Sequence, residues 1–438
     1  MMKNDKGKSI AVSLATASCA LLGTGPASPV NAQEDNEWNF DTALLYYGES
    51  DGRVDDISLN VLAVRNFVDD RILTLGLTVD SLTGATPIGA IPFGGPQTFT
   101  TPSGLSVHTR PPNEIPLDDT FLDTRYAVSA SWQQPWGRMN NFSAGVTASS
   151  EYDYLHLGAN FKFSHDFNDR NSTVSLALAA ARDELDPVGG APMPLTPMLD
   201  VGDLSNRMGT VDKDVIDVVA GLTQVINRNL LFQVNYSYSN ASGYLNDPYK
   251  IVSLVDPVTG DPLARTPTPG VDGPSHQYLF ESRPDNRTKQ SIFAQAKYYM
   301  EGKVLDASYR FMTDDWDIES HTVDLRYRWP IGGSYLEPHL RWYTQSHADF
   351  YRPSLDGTLP LPAYAAADYR LGEFDAITFG IKYGWETAAG NEWSARLEYY
   401  TSDGKTPGEL LIGNQAGREI YPDLSAIIAQ ISYRFGAK

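Results

Sequence analysis

The stretch RWPIGGSYLEPHLRW, Arg328 to Trp342, reads as two half-strands around a turn. Before the turn, Val323, Leu325, Tyr327 and Trp329 alternate with Asp324, Arg326 and Arg328. After it, Leu336, Leu340 and Trp342 alternate with Glu337, His339 and Arg341. Alternation at period two makes a strand with two unlike faces, and Gly332-Gly333 supplies the hairpin turn. Folding the halves about that turn sets Arg328 against Glu337, Arg326 against His339 and Asp324 against Arg341, while Trp329 meets Leu336 and Leu325 meets Leu340. One register thus matches polarity on both faces. The open question is which face lies inside.

Sixteen segments of this kind run along the chain, at 37–47, 54–67, 71–82, 121–134, 142–150, 152–166, 172–183, 213–227, 229–240, 287–300, 303–313, 318–329, 334–346, 375–387, 391–402 and 422–435. Their connections are more telling than the strands. The even-numbered joins, at 68–70, 135–141, 167–171, 228, 301–302, 330–333 and 388–390, are all short. Every long insert is odd-numbered: 83–120, 184–212, 241–286, 347–374 and 403–421. These inserts are rich in Pro, Gly and Asp and lack periodicity, as loops do. Such a split puts all long loops at one end of an up-and-down meander, the arrangement of transmembrane barrels with short periplasmic turns and long outer loops.

The faces follow. Phe232, Val234, Tyr236 and Tyr238 oppose Gln233, Asn235, Ser237 and Ser239, and Leu73, Leu75, Leu77 and Val79 oppose Thr74, Gly76, Thr78 and Asp80. At bilayer depth every backbone group must pair within the protein, so a sheet with one lipid-compatible face has to close. Trp38, Trp132, Trp136, Trp329, Trp385 and Trp393, six of the eight tryptophans, fall at strand ends beside the short turns or the N-terminus. That is an interfacial aromatic girdle. The predicted fold is therefore all-β, a single antiparallel transmembrane barrel of about sixteen strands. Its greasy face looks outward at lipid and its charged face lines the inside.

Residues 1–32 read as a secretory signal peptide, with Lys3, Lys6 and Lys8 ahead of an apolar run and Val30-Asn31-Ala32 as the cleavage site. A lipoprotein reading of Cys19 is weaker, because Thr16 stands three residues before it. Cys19 is the single cysteine, so residues 33–438, the barrel domain, have no disulfide, thiolate metal site or c-type haem motif. Removing the leader moves the formal net charge from −20 to −22. So acidic a chain argues against nucleic acid as a partner. No mature segment is apolar enough over about 18 residues to be a membrane-spanning helix.

The ending IIAQISYRFGAK, which alternates Ile427, Ala429, Ile431, Tyr433 and Phe435, resembles the terminal strand of outer-membrane barrels. In that group the strand is read by the barrel-assembly machinery and the aromatic usually comes last, whereas Gly436-Ala437-Lys438 follow it here. DTALLYYGESDGRV from Asp41 and DSLTGATP from Asp80 are similar to an uncharacterised proteobacterial family of barrel proteins. The resemblance covers the whole mature chain and implies the outer membrane of a Gram-negative bacterium, with lipid and small solutes as partners. It names no substrate. A homo-oligomer is a further expectation, by analogy with trimeric porins alone.

Candidate chemistry concentrates on residues 303–346. Arg326, Arg328 and Arg341, with Arg310 one strand away, form a basic wall braced by Asp324, Glu337 and His339. Such a wall selects permeants by sign, as charged rings in pores do; its bland counterpart is a set of cross-strand ion pairs of about 0.2–1 kcal/mol each. Lys289, Lys297, Asp306, Lys382, Arg396, Glu398 and Arg434 share lumen parity. The seven histidines have no compact ligand spacing, and Asp314-Asp315-Trp316-Asp317 lacks an EF-hand pattern, so no metal or cofactor is expected. A barrel-embedded hydrolase is the rival class, but no serine motif accompanies His321. A plugged receptor has no room for its plug between Gln33 and the first strand, and a soluble secreted β protein does not explain the loop asymmetry. The expected function is a passive, non-enzymatic pore, with a closed structural or ligand-binding barrel as the alternative. Intact mass of the exported protein should begin at Gln33; retention of residues 1–32 would remove the leader reading.

Overall fold

A computed structural model describes residues 37–437, so the leader expectation lies outside it. Sixteen strands form one closed antiparallel barrel. They are β1 (Trp38–Glu49), β2 (Val54–Asn66), β3 (Ile72–Pro87), β4 (Leu117–Trp136), β5 (Asn140–Ser150), β6 (Tyr154–Phe167), β7 (Ser172–Leu185) and β8 (Val211–Asn227). Then come β9 (Leu230–Gly243), β10 (Asn286–Met300), β11 (Lys303–Asp314), β12 (Glu319–Ile331), β13 (Ser334–Gln345), β14 (Glu373–Glu386), β15 (Glu392–Lys405) and β16 (Leu424–Ala437). Each strand pairs with its sequence neighbour, and β1 closes onto β16 with Phe40 opposite Phe435.

The hairpin at 328–342 has the register expected of it. Arg326 pairs with His339, Asp324 with Arg341, Leu325 with Leu340 and Trp329 with Leu336. Gly332 turns the chain at φ +62°, where a side chain would be strained. Apolar side chains of outward parity, among them Leu44, Leu75, Leu77, Phe379 and Ile431, are exposed around the wall. Trp385, Trp393, Tyr433 and Phe435 stack in sequence at the short-turn rim, where Arg65 caps Trp38 and Arg71 caps Trp132.

Two elements differ from the sequence reading. Strands β3 and β4 continue past the predicted ends to Pro87 and Leu117, through a bulge between Gly84 and Thr86. Period-two alternation stops there while the pairing continues. The long inserts are also not open coil. Residues 97–100 pair with 107–110, 191–192 with 207–208, and 251–255 lie between 278–280 and 354–356 in a three-stranded sheet.

A charge at the middle of the outward face should cost about 2–4 kcal/mol, far more than one facing the lumen. Leu75→Arg should therefore destabilise the refolded barrel in urea titrations in lipid, and Thr74→Arg much less. Equal losses would reverse the face assignment.

Candidate functional site

The inner wall is built by parity alone, and it is divided by charge. On β10–β13 the lumen-facing charges are Arg287, Lys289, Lys297, Arg310, Arg326, Arg328 and Arg341 against Asp306, Asp314, Asp324 and Glu337. On β1–β8 they are Asp41, Glu49, Asp56, Asp80, Asp123, Asp166, Asp183 and Asp217 against Arg125, Lys162 and Lys213. A mainly basic arc thus faces a mainly acidic one.

All seven residues singled out from the sequence lie on this wall, but they do not act as one cluster. His339 bridges two carboxylates, with Nε2 2.9 Å from Asp324 and Nδ1 2.8 Å from Glu398. Arg326 lies 3.3 Å from the same Asp324. Glu337 pairs in register with Lys382 on β14. Arg328 lies over the ring of Tyr335 at 3.6 Å, a cation–π contact that the pattern did not reveal. Arg310, Arg326, Arg328 and Arg341 are solvent-exposed despite pointing inward. Among the described residues neither Arg328 nor Arg341 has a carboxylate within ion-pair distance.

Elsewhere the wall is tightly paired. Arg125 holds Asp80 at 2.8 and 3.2 Å, and Arg434 lies 3.0 Å from Asp41 and 3.5 Å from Glu392. Thr147 Oγ1 stands 3.2 Å from His156 Nε2, His156 Nδ1 2.6 Å from Asp183, and Lys213 2.8 Å from the other oxygen of Asp183. Between these groups, across the β16–β1 seam, lies a cavity of about 430 Å³.

The outer mouth is spanned by a folded layer made from the long loops. Ile88, Phe99, Met198, Ile251, Tyr278 and Phe280 form one buried cluster, and Trp316, Ile318, Phe350, Tyr351 and Leu371 form another. Loops from distant points of the ring meet: Ile91 N donates to Ser253 Oγ, and Arg418 donates to the carbonyls of Pro92 and Gly260. The layer rests on the wall where Gly404 leaves space for Tyr421; a Cβ there would come within 1.8 Å of the ring.

A buried ionic network ties the layer together. Arg283 lies 2.6 Å from Glu281 and 2.8 Å from Asp368, and Arg370 lies 2.6 Å from both Asp368 and Asp247. Lys250, 1% exposed, donates to Thr86 Oγ1 at 3.1 Å and to the Pro87 carbonyl at the top of β3. Burial pushes the Lys250 ammonium below its ordinary range. The arginines beside Asp368 outweigh its burial and hold its carboxyl well below the usual range. Burial pushes Glu281 up to about 7, against the pull of Arg283. Nothing in the sequence marked these residues, since each sits in an aperiodic insert. Among the described residues no group of His, Cys, Asp and Glu could hold a metal ion.

Raising the Glu281 pKa above its ordinary value of 4.5 means its contribution to the loop layer is fully present below that value. It is lost as pH rises through about 7. Glu151, pushed up to about 8 by burial and then by Asp123, adds a slope of the same sign, and His276, lowered by burial, one of the opposite sign. Glu281→Gln isolates the first. Between pH 5 and pH 8, hydrogen-exchange protection of residues 247–283, corrected for intrinsic rates, should fall on the order of tenfold more in the wild type than in the variant. Parallel profiles would contradict the assignment.

Over residues 11–435 the sequence matches the family described as "Protein of unknown function (DUF3570)", and the chain belongs to that family. No curated protein matches it in sequence. Among solved structures it is similar to a bacterial polysaccharide outer membrane secretin (9% identity, TM-score 0.43, 93% of this chain and 100% of that one). It is also similar to the CymD monoaromatic hydrocarbon channel (9%, 0.39, 92% and 90%) and to Pseudomonas aeruginosa OccK3 (10%, 0.35, 92% and 97%).

Proposed function

We propose that this barrel lies in the outer membrane of a Gram-negative bacterium and is a passive pore whose anion preference is set by β11–β13. The observation that carries the reading is the set of inward-pointing but solvent-exposed arginines, Arg326, Arg328 and Arg341, on adjacent strands opposite an acidic arc. Guanidinium groups stay charged at any working pH and grip carboxylates in two-pronged geometry. The exposed apolar belt and tryptophan rim support insertion in lipid, and the last strand is the segment that the assembly machinery would read.

The pore carries out no chemistry in this reading. The Thr147–His156–Asp183 arrangement has the distances of a nucleophile and base, but acyl transfer also needs free N–H donors for the developing oxyanion. Thr147 lies inside a strand paired on both sides, with its backbone in the ladder. Asp183 is moreover already neutralised by Lys213. The set is read as wall bracing.

The folded loop layer across the mouth favours a second reading, a closed barrel with a structural or ligand-binding role. Planar-bilayer recording of refolded protein separates the two. The pore reading requires conductance, and Arg326→Ala with Arg328→Ala should shift the reversal potential under a salt gradient toward cations. Unchanged ion preference with lowered stability would make the arginines mere braces. No conductance from folded wild type would leave the closed barrel.

A further inference from the structure

The cavity at the β16–β1 seam differs chemically from the arginine wall beside it. The charges around it are largely satisfied before any ligand arrives: Arg434 by Asp41 and Glu392, Arg125 by Asp80, His156 by Asp183. Beside these pairs the lining mixes alcohols and amides, including Asn60, Ser129, Ser149, Ser394 and Gln430, with a larger apolar surface to which Leu62 contributes. Small residues such as Ala43, Gly76 and Ala127 give it depth. At about 430 Å³ it falls in the size range of small-molecule sites.

A hydroxyl both donates and accepts, so a surface of alcohols, amides and fixed ion pairs complements a ligand that is itself a polyol. A bare ion or an aliphatic chain would use only one part of that mixed surface, whereas a polyol offers hydroxyls on a carbon frame. One edge of the cavity is cationic. Lys382 belongs to its lining and lies 5.7 Å from the centre of the Tyr335 ring, and Arg328 lies over the same ring at 3.6 Å. Arg341 stands on the strand between, at lumen parity and exposed. Glu337, across from Lys382, and Glu392, which accepts from Tyr335 and pairs with Arg434, offset part of this charge.

We infer that this recess is a binding site for a polyhydroxylated carboxylate, a sugar acid, with hydroxyls seated against the β16–β1 seam and carboxylate toward Lys382 and Arg328. The inference rests on the anion-leaning wall proposed above and adds the ligand's uncharged half. Hydrogen bonds to the polyol select, and the cations orient.

Three probes divide these contributions: gluconate carries both features, hexanoate only the carboxylate, sorbitol only the hydroxyls. Calorimetric titration of the folded full chain in detergent should give gluconate an affinity about tenfold above either of the others. Ser129→Leu with Ser432→Leu, which fills the recess from lumen-facing positions, should erase that gap. Ser129→Ala with Ser432→Ala should narrow it, and covers the case in which the larger side chains prevent folding. Equal affinity for gluconate and hexanoate, or a gap that survives both pairs of substitutions, overturns the site. The reversal potential reports separately on the pore. Gluconate preference without conductance removes the pore and keeps the site; anion-selective conductance without the preference does the reverse.

Discussion

Everything in this molecule depends on the pairing of β1 with β16. A sheet with an exposed apolar face can live in lipid only if no backbone N–H or C=O is left at an edge. Closure along the whole of β1, from Trp38 opposite Ala437 to Glu49 opposite Ala426, removes the last edge. Once the ladder satisfies the backbone, side chains are released from that duty. Outward positions need only be greasy, and inward positions are left to whatever the lumen does.

This division explains what was legible. Alternation is a local signal, so strand order, face and even the register of β12 on β13 could be read from sequence. The cross-strand neighbours Arg326 and His339 were foreseen, but the ring nitrogens of His339 bond the carboxylates of Asp324 and Glu398 instead. Long polar side chains lean diagonally in a wide lumen, and parity says nothing about lean. The Arg328–Tyr335 contact was missed for the same reason. The loop layer was illegible for a different one. Ile88, Met198, Ile251 and Tyr278 are buried in one cluster, across gaps in sequence that no period links. Likewise Asp247, Glu281, Arg283, Asp368 and Arg370 each look like solvated loop residues until the fold brings them together.

A short ladder, 253–255 against 354–356, fixes the two loops that carry these residues relative to each other, and the network adds to it. Buried ion pairs contribute little net stability, since desolvation offsets their attraction. A connected set nevertheless disfavours any arrangement that strands one charge. Arg283 and Arg370 share Asp368, so moving either loop away leaves a dry carboxylate with half its partners. Lys250 fastens the same loop to the top of β3. The mouth is thereby spanned in a defined way, and apolar burial supplies the adhesion.

The same rule, applied to the wall, says where water is. A dry cation without partners is too costly to persist, which is why Arg283 and Arg370 share carboxylates in the layer and Lys250 donates to Thr86 and Pro87. Among the described residues Arg328 and Arg341 have no carboxylate in reach, yet they lie inside the barrel and remain exposed. Both facts are consistent only if solvent reaches β12 and β13. The molecule thus holds two electrostatic regimes within one chain: a dry cap in which Arg283 and Arg370 share carboxylates, and a wet arc in which, among the described residues, Arg328 and Arg341 have none in reach. An arc of that kind has charge free to meet a solute, whereas the ion pairs of the seam beside it are already closed, so any discrimination by the seam has to come from its hydroxyl, amide and apolar groups.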